Sequence, residues 1–201
     1  MRFLVSLAGI LLAASLFAPV SPACAQTVSA VPLYNSGVHK YRQGDLDGAI
    51  ADFTSAIEIN AEYWKAYSSR GVAKQDKHDF EGAIQDYTRS IQINPGNAGA
   101  YSNRGVARRA KGDLDGALAD YARALELDPQ DAYTHNNRGA VRSDRNDLDG
   151  AIEDFTRAIE LHPDYAEAYF NRSVCKKRKG DAAGAQSDRA TAIELDPRLN
   201  R

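Results

Sequence analysis

The 201-residue chain holds little of what chemistry usually needs. Two cysteines, Cys24 and Cys175, cannot build a disulfide framework. His39, His78, His135 and His162 are scattered, with no His-x-x-x-His pair and no Cys/His cluster, so no metal site is expected. There is no Gly-x-x-x-x-Gly-Lys phosphate loop and no Gly-x-Ser-x-Gly nucleophile elbow. Neither charge sign dominates: 25 Lys plus Arg stand against 27 Asp plus Glu, a net of -2. That balance lacks the basic excess of a protein that grips nucleic acid. Aromatic residues make up only 8% of the chain. What is left is a binding or scaffolding protein, without cofactor and not an enzyme.

Long apolar runs are also missing, with one exception at the start. Met1 and Arg2 precede an apolar stretch from Phe3 to Ala18, then Pro19 and Pro22, then the small-x-small triplet Ala23-Cys24-Ala25. This order predicts a secretory signal peptide over 1–25, cleaved before Gln26, with 26–30 as a short linker. The stretch is shorter than the ~20 apolar residues of a membrane-spanning helix. Lipidation of Cys24 fits less well, because Ser21 stands where a lipoprotein wants a Leu-like residue. The expected destination is the bacterial periplasm.

Everything after the leader repeats. Gly37, Gly71, Gly105 and Gly139 are 34 residues apart, and Ser173 takes the next step. Ala49, Ala83, Ala117, Ala151 and Ala185 keep the same interval, as do Pro95, Pro129, Pro163 and Pro197. The aromatic series Phe53, Tyr87, Tyr121, Phe155 ends in Arg189. Five units follow: 30–63, 64–97, 98–131, 132–165 and 166–199. Each reads as two helices. In the third, Leu114, Ala117, Leu118, Tyr121, Ala124 and Leu125 share one helical face. Asp45, Asp79, Asp113, Asp147 and Asp181 precede the second helices as N-caps. Just before each cap stands Gly44, His78, Gly112, Asn146 or Gly180, residue types suited to a left-handed helix stop. One hairpin cannot bury its apolar face alone, so stacked neighbours must supply a continuous core.

These residues resemble the tetratricopeptide repeat family, whose signature the third unit shows in Tyr101, Gly105, Gly112, Ala117, Tyr121, Ala124 and Pro129. The resemblance implies an all-α, right-handed solenoid of five helix-turn-helix repeats whose first helices line a concave groove. It also implies a non-enzymatic adaptor that binds an extended peptide or a protein surface in that groove. On that face stand Asn35, Asn103, Asn137 and Asn171, with Ser69 interrupting the row. A primary amide both donates and accepts, so such a row can hold the peptide groups of an extended chain. Tyr34, Tyr133 and Phe170 would add apolar contacts. The family's clamp for C-terminal carboxylates uses Lys and Asn at positions that hold Tyr34, Val38, Ser68 and Val72 here, which argues against that ligand.

Four departures from the family pattern carry further expectations. Arg70, Arg104, Arg138 and Arg172 replace the Leu before the signature Gly, and a semi-buried charge needs a partner. The first unit has Ser36 there and no preceding helix pair. That coincidence predicts a ladder between neighbours: Asp52 with Arg70, Asp86 with Arg104, Asp120 with Arg138, Asp154 with Arg172. Further bases (Lys40, Lys74, Arg108, Arg142 and Lys176, then Lys77, Lys111, Arg145 and Lys179) read mainly as cations beside second-helix carboxylates. The alternative is a basic ridge that meets an anionic polymer or a membrane surface in the envelope. Gly48, Gly82, Gly116, Gly150 and Gly184 occupy the first turn of every second helix at a cost of up to about 1 kcal/mol each, for which the sequence offers no reason. The last unit, with Ala182, Gln186 and Arg189 in place of apolar residues, is expected to cap itself.

Overall fold

A computed structural model of the chain describes residues 29–200. The leader, with Cys24 and the Ala25–Gln26 junction, lies outside them. The described residues form ten α-helices and a closing 3-10 turn. The first helices of the five repeats are α1 (Ala30–Arg42), α3 (Trp64–Asp76), α5 (Ala98–Ala110), α7 (Ala132–Asp144) and α9 (Ala166–Arg178). The second helices are α2 (Leu46–Ile59), α4 (Phe80–Ile93), α6 (Leu114–Leu127), α8 (Leu148–Leu161) and α10 (Ala182–Leu195). The 3-10 turn is Pro197–Leu199.

Local chemistry sets these boundaries. Gly44, His78, Gly112, Asn146 and Gly180 all adopt positive φ, between 62° and 88°, which reverses the chain after each first helix. The aspartate that follows then caps the second helix. Asp113 Oδ1, for example, accepts from the Gly116 amide at 2.9 Å. This contact explains the first-turn glycines. A Cβ on Gly48, Gly82, Gly116, Gly150 or Gly184 would fall inside the capping carboxylate itself. The cap folds tightly over the helix end because that position has no side chain.

Packing follows from the small-residue and aromatic pairs. Phe53, Tyr87, Tyr121 and Phe155 are buried, and each ring lies against the glycine of its own first helix. A Cβ on Gly105 would stand only 2.7 Å from Tyr121 Cε1. Burying each such ring contributes about 1.5–3 kcal/mol. The next first helix closes the cluster from outside: Ala107 packs with Ala83 and Tyr87, Val141 with Ala117 and Tyr121, Cys175 with Ala151 and Phe155. The core is therefore a row of clusters at the junctions between repeats. Each first helix also touches the next first helix, while successive second helices do not pack comparably among the described residues. The first-helix layer is the tighter one and forms the inner curve.

Candidate functional site

One side of every internal first helix is committed to ion pairs. Arg70 grips Asp86 with two bonds, Nε to Oδ2 at 2.9 Å and Nη2 to Oδ1 at 2.7 Å. Arg104 with Asp120 and Arg172 with Asp188 repeat this geometry, and Arg138 holds Asp154. The pairs lie within one repeat, which corrects the expected ladder of Asp52–Arg70, Asp86–Arg104, Asp120–Arg138 and Asp154–Arg172. The two helices of one hairpin pack most closely, and the guanidinium fork needs that proximity to engage both carboxylate oxygens. Asp52 is not orphaned, because Lys40 at 2.8 Å and the Ser36 hydroxyl at 2.6 Å take it.

The arginine still depends on the repeat before it, through a residue the sequence reading missed. Arg70 Nη1 donates to Thr54 Oγ1, Arg104 Nη1 to Thr88 Oγ1 and Arg172 Nη1 to Thr156 Oγ1, each at 3.0 Å. These threonines keep the 34-residue interval, and that was the available signal. The junction of the third and fourth repeats breaks the pattern, with Ala122 in the threonine position that Arg138 would use. His135 also replaces the tyrosine over whose ring Arg70, Arg104 and Arg172 lie. His135 reaches Asp154 Oδ1 through Nδ1 at 3.4 Å and the Pro129 carbonyl through Nε2 at 3.2 Å.

A second cation completes each carboxylate: Lys74 on Asp86, Arg108 on Asp120, Arg142 on Asp154 and Lys176 on Asp188, at 2.8–3.0 Å. Burial alone would raise the Asp154 and Asp188 pKa values. Hydrogen bonds and the paired cations outweigh it and hold both carboxyls below the ordinary range. The outer bases are paired as well. Lys77, Lys111, Arg145 and Lys179 contact Asp47, Glu81, Asp115 and Asp149 of the preceding repeat.

The inner face is different. Asn35 is exposed and Asn103 and Asn137 are half-buried, and among the described residues none of these three side chains makes a hydrogen bond. Asn103 shares a cleft of about 350 Å³ with Tyr34, Trp64, Ser68 and Ser69. Asn137 lines one of about 420 Å³ with Val106, Arg109, Tyr121 and Asp144. The floor of the second cleft carries another uncommitted group. Tyr121 is fully buried and its hydroxyl has no partner, whereas the Tyr87 hydroxyl meets Gln75 Oε1 at 3.4 Å. Arg109 stands in place of Gln75 and is drawn to Asp144 at 2.8 Å.

The remaining predicted groove residues are placed less openly. The Asn171 amide donates to Asn136 Oδ1 at 3.1 Å, so this member of the row is engaged within the fold. Tyr34 packs on Phe53 and Tyr63, with ring centroids 5.7 and 5.1 Å away. Phe170 lies beneath the Arg189 guanidinium. Tyr133 is 58% exposed beside His162 and Tyr165 and remains available. Tyr41 bridges to Asp76 at 2.6 Å, and that hydrogen bond, with burial, pushes its pKa up to about 12. Among the described residues no three His, Cys, Asp or Glu side chains are grouped to hold a metal ion.

Comparison with known proteins agrees with this architecture. Two models described as tetratricopeptide repeat match residues 34–98 and 132–165, and one described as TPR repeat matches 107–144. The chain is a tetratricopeptide repeat protein. No curated protein sequence matches it. Among solved structures, this repeat protein is similar to MamA, with 23% identity over 81% of this chain and 95% of that one and a TM-score of 0.74. It is also similar to YrrB, described as a TPR protein with an unusual peptide-binding site, with 22% identity, 84% and 87% coverage and a TM-score of 0.69. The first TPR of Spaghetti, solved bound to an HSP90 peptide, is 28% identical over 59% of this chain and 94% of its own, with a TM-score of 0.58. At these identities the likeness to MamA and YrrB concerns the fold.

Proposed function

We propose that this tetratricopeptide repeat protein is an exported, non-catalytic adaptor whose inner groove holds an extended segment of a partner protein. One observation carries the reading. Charged side chains on the first helices are largely tied into ion pairs, while the amides of Asn35, Asn103 and Asn137 and the Tyr121 hydroxyl are left without partners. A buried hydroxyl without a partner costs about 1–3 kcal/mol, and Phe53 and Phe155 occupy the same position without that cost. Two solved structures of this fold support the reading through their descriptions, one with a peptide-binding site and one with a bound peptide. Tyr34, Val38, Ser68 and Val72 stand at the positions of the family's carboxylate clamp, so the segment is held along its backbone rather than by its C-terminus. The envelope-polymer alternative is less well supported, because the basic ridge it needs already holds carboxylates.

The test is crosslinking and pull-down from an envelope fraction, followed by binding of the identified segment. Asn103→Ala with Asn137→Ala should weaken capture by about 1–3 kcal/mol with an unchanged melting temperature. Equal capture by the double variant would sink the amide row. Recovery of only a lipid or glycan, in a complex that dissolves steeply with salt, would favour the polymer. Export predicts a secreted chain whose N-terminus is Gln26.

A further inference from the structure

The inner face is not balanced in charge along its length. Beside the cleft of Asn103 lies another of about 290 Å³, lined by Tyr34, Val38, Phe53 and Val72 and edged by Arg42. The two clefts share Tyr34 and Ser69 and so adjoin. Phe53 is buried and Val38 and Val72 are half-buried, which makes the second cleft the apolar one. Lys65 lines the first cleft and Arg42 the second, and neither cleft is lined by Asp or Glu. Both cations are exposed, and among the described residues neither holds a carboxylate. Lys65 lies over the Trp64 ring at 5.5 Å. Asp76, one repeat beyond Arg42, accepts from the Tyr41 hydroxyl instead. Nor does the repeat require either cation. The place of Arg42 is taken by Asp76, Ala110 and Asp144 in the next three repeats, and that of Lys65 by Val31, Gly99 and Tyr133 in the repeats around it. Further along the face the imbalance ends, because Arg109 in the cleft of Asn137 is matched by Asp144.

We propose that these two clefts select an extended partner segment in which an apolar side chain lies between two carboxylates. The proposal rests on the groove reading of this chain and names the kind of sequence that the groove takes. Size argues for a single side chain in the apolar cleft, since a helix about 10–12 Å across would not enter 290 Å³. Charge argues for the acids, since Arg42 and Lys65 stand without a counter-charge on the face that the segment crosses. Geometry sets their spacing. Arg42 ends α1 and Lys65 follows the first residue of α3. These two helices run the same way, so the cations stand roughly 16 Å apart along the helix axes and about 8–10 Å apart across them. Val38, Tyr34 and Ser69 lie in that order between them. An extended chain covers the gap in about five or six residues, with its apolar side chain on the way.

The probe is a set of labelled twelve-residue Gly/Ser peptides, each with one Leu between two Glu, the Glu set two to eight residues apart. In anisotropy titrations against the full chain, affinity should peak near a separation of five or six. Replacing both Glu by Gln, or Leu by Ser, in the best peptide should weaken it at least about tenfold. Arg42→Glu with Lys65→Glu should turn the preference toward the same peptide with Lys in place of Glu. Circular dichroism should show an unaltered fold, because both residues are exposed. Equal affinity at every separation, no saturable binding, or indifference to Arg42→Glu with Lys65→Glu would each overturn the proposal. If the Gln peptide binds as tightly as the Glu peptide and Asn103→Ala with Asn137→Ala weakens both, the groove reading stands and this proposal alone fails. If the acidic peptide needs the two cations and ignores the Asn changes, the charged clefts stand and only the amide row falls.

Discussion

The first and third repeats place an aspartate at the same point and hold it differently. Asp120 is gripped by Arg104 and Arg108 and its side chain is 4% exposed. Asp52 is met by Lys40 and Ser36 and is 16% exposed. The difference lies in what precedes each repeat. Arg104 spends its third donor on Thr88, a residue of the second repeat, so its guanidinium is fully used only inside the stack. Among the described residues no helix pair stands before α1, and an arginine at position 36 would lose that acceptor. A hydroxyl and a flexible ammonium serve a more exposed carboxylate at lower desolvation cost. The guanidinium fork is thus a feature of the second to fifth repeats, and the first repeat holds its aspartate with a lysine and a hydroxyl instead.

The sharpest way to break this comparison is to delete the carboxylate in each repeat. Asp120→Ala leaves two guanidiniums facing each other in a closed space and should destabilise the fold by about 3–5 kcal/mol. Asp52→Ala should cost about 1 kcal/mol or less. Chemical denaturation of the two variants measures both, and equal losses would mean that the layer is uniform along the stack.

Acid should act on the same layer with a smaller and graded effect. The Asp154 and Asp188 pKa values are depressed in the fold. Their stabilisation is therefore complete above the unfolded value near ~3.9 and is lost as pH falls through the folded values. Melting temperature should be flat from pH ~7 to ~5 and drop below ~4, and Asp154→Ala should show a shallower acid limb. A melting temperature that rose on acidification would contradict the assignment. The smallest expected change is a gain. Ala122→Thr restores to Arg138 the acceptor that Arg70, Arg104 and Arg172 have, and should stabilise by about 0.5–1.5 kcal/mol. A neutral or negative result would show that His135 has reorganised that junction.

Several features were legible in the chain before any coordinates. The positive-φ stops at Gly44, His78, Gly112, Asn146 and Gly180 and the capping aspartates depend on backbone strain and on hydrogen bonds within a few residues. The buried faces depend on apolar spacing alone. The repeated first-turn glycine was equally visible, but its cause was not, because only the folded cap shows its carboxylate in the space a Cβ would need. Asn171 looked the same as Asn103 and Asn137. A partner one repeat away, Asn136, separates it from them.

Local order and the stacking of hairpins were thus decided by the chain alone, since caps, stops and hydropathy act at short range. Tertiary structure decided which carboxylate each arginine holds and which groove amides stay open. Arg70 stands sixteen residues before Asp86 and eighteen after Asp52, and both offsets recur in every internal repeat. A periodic sequence makes pairing within a repeat and pairing between repeats equally regular, and only the closer approach of helices inside one hairpin tells them apart.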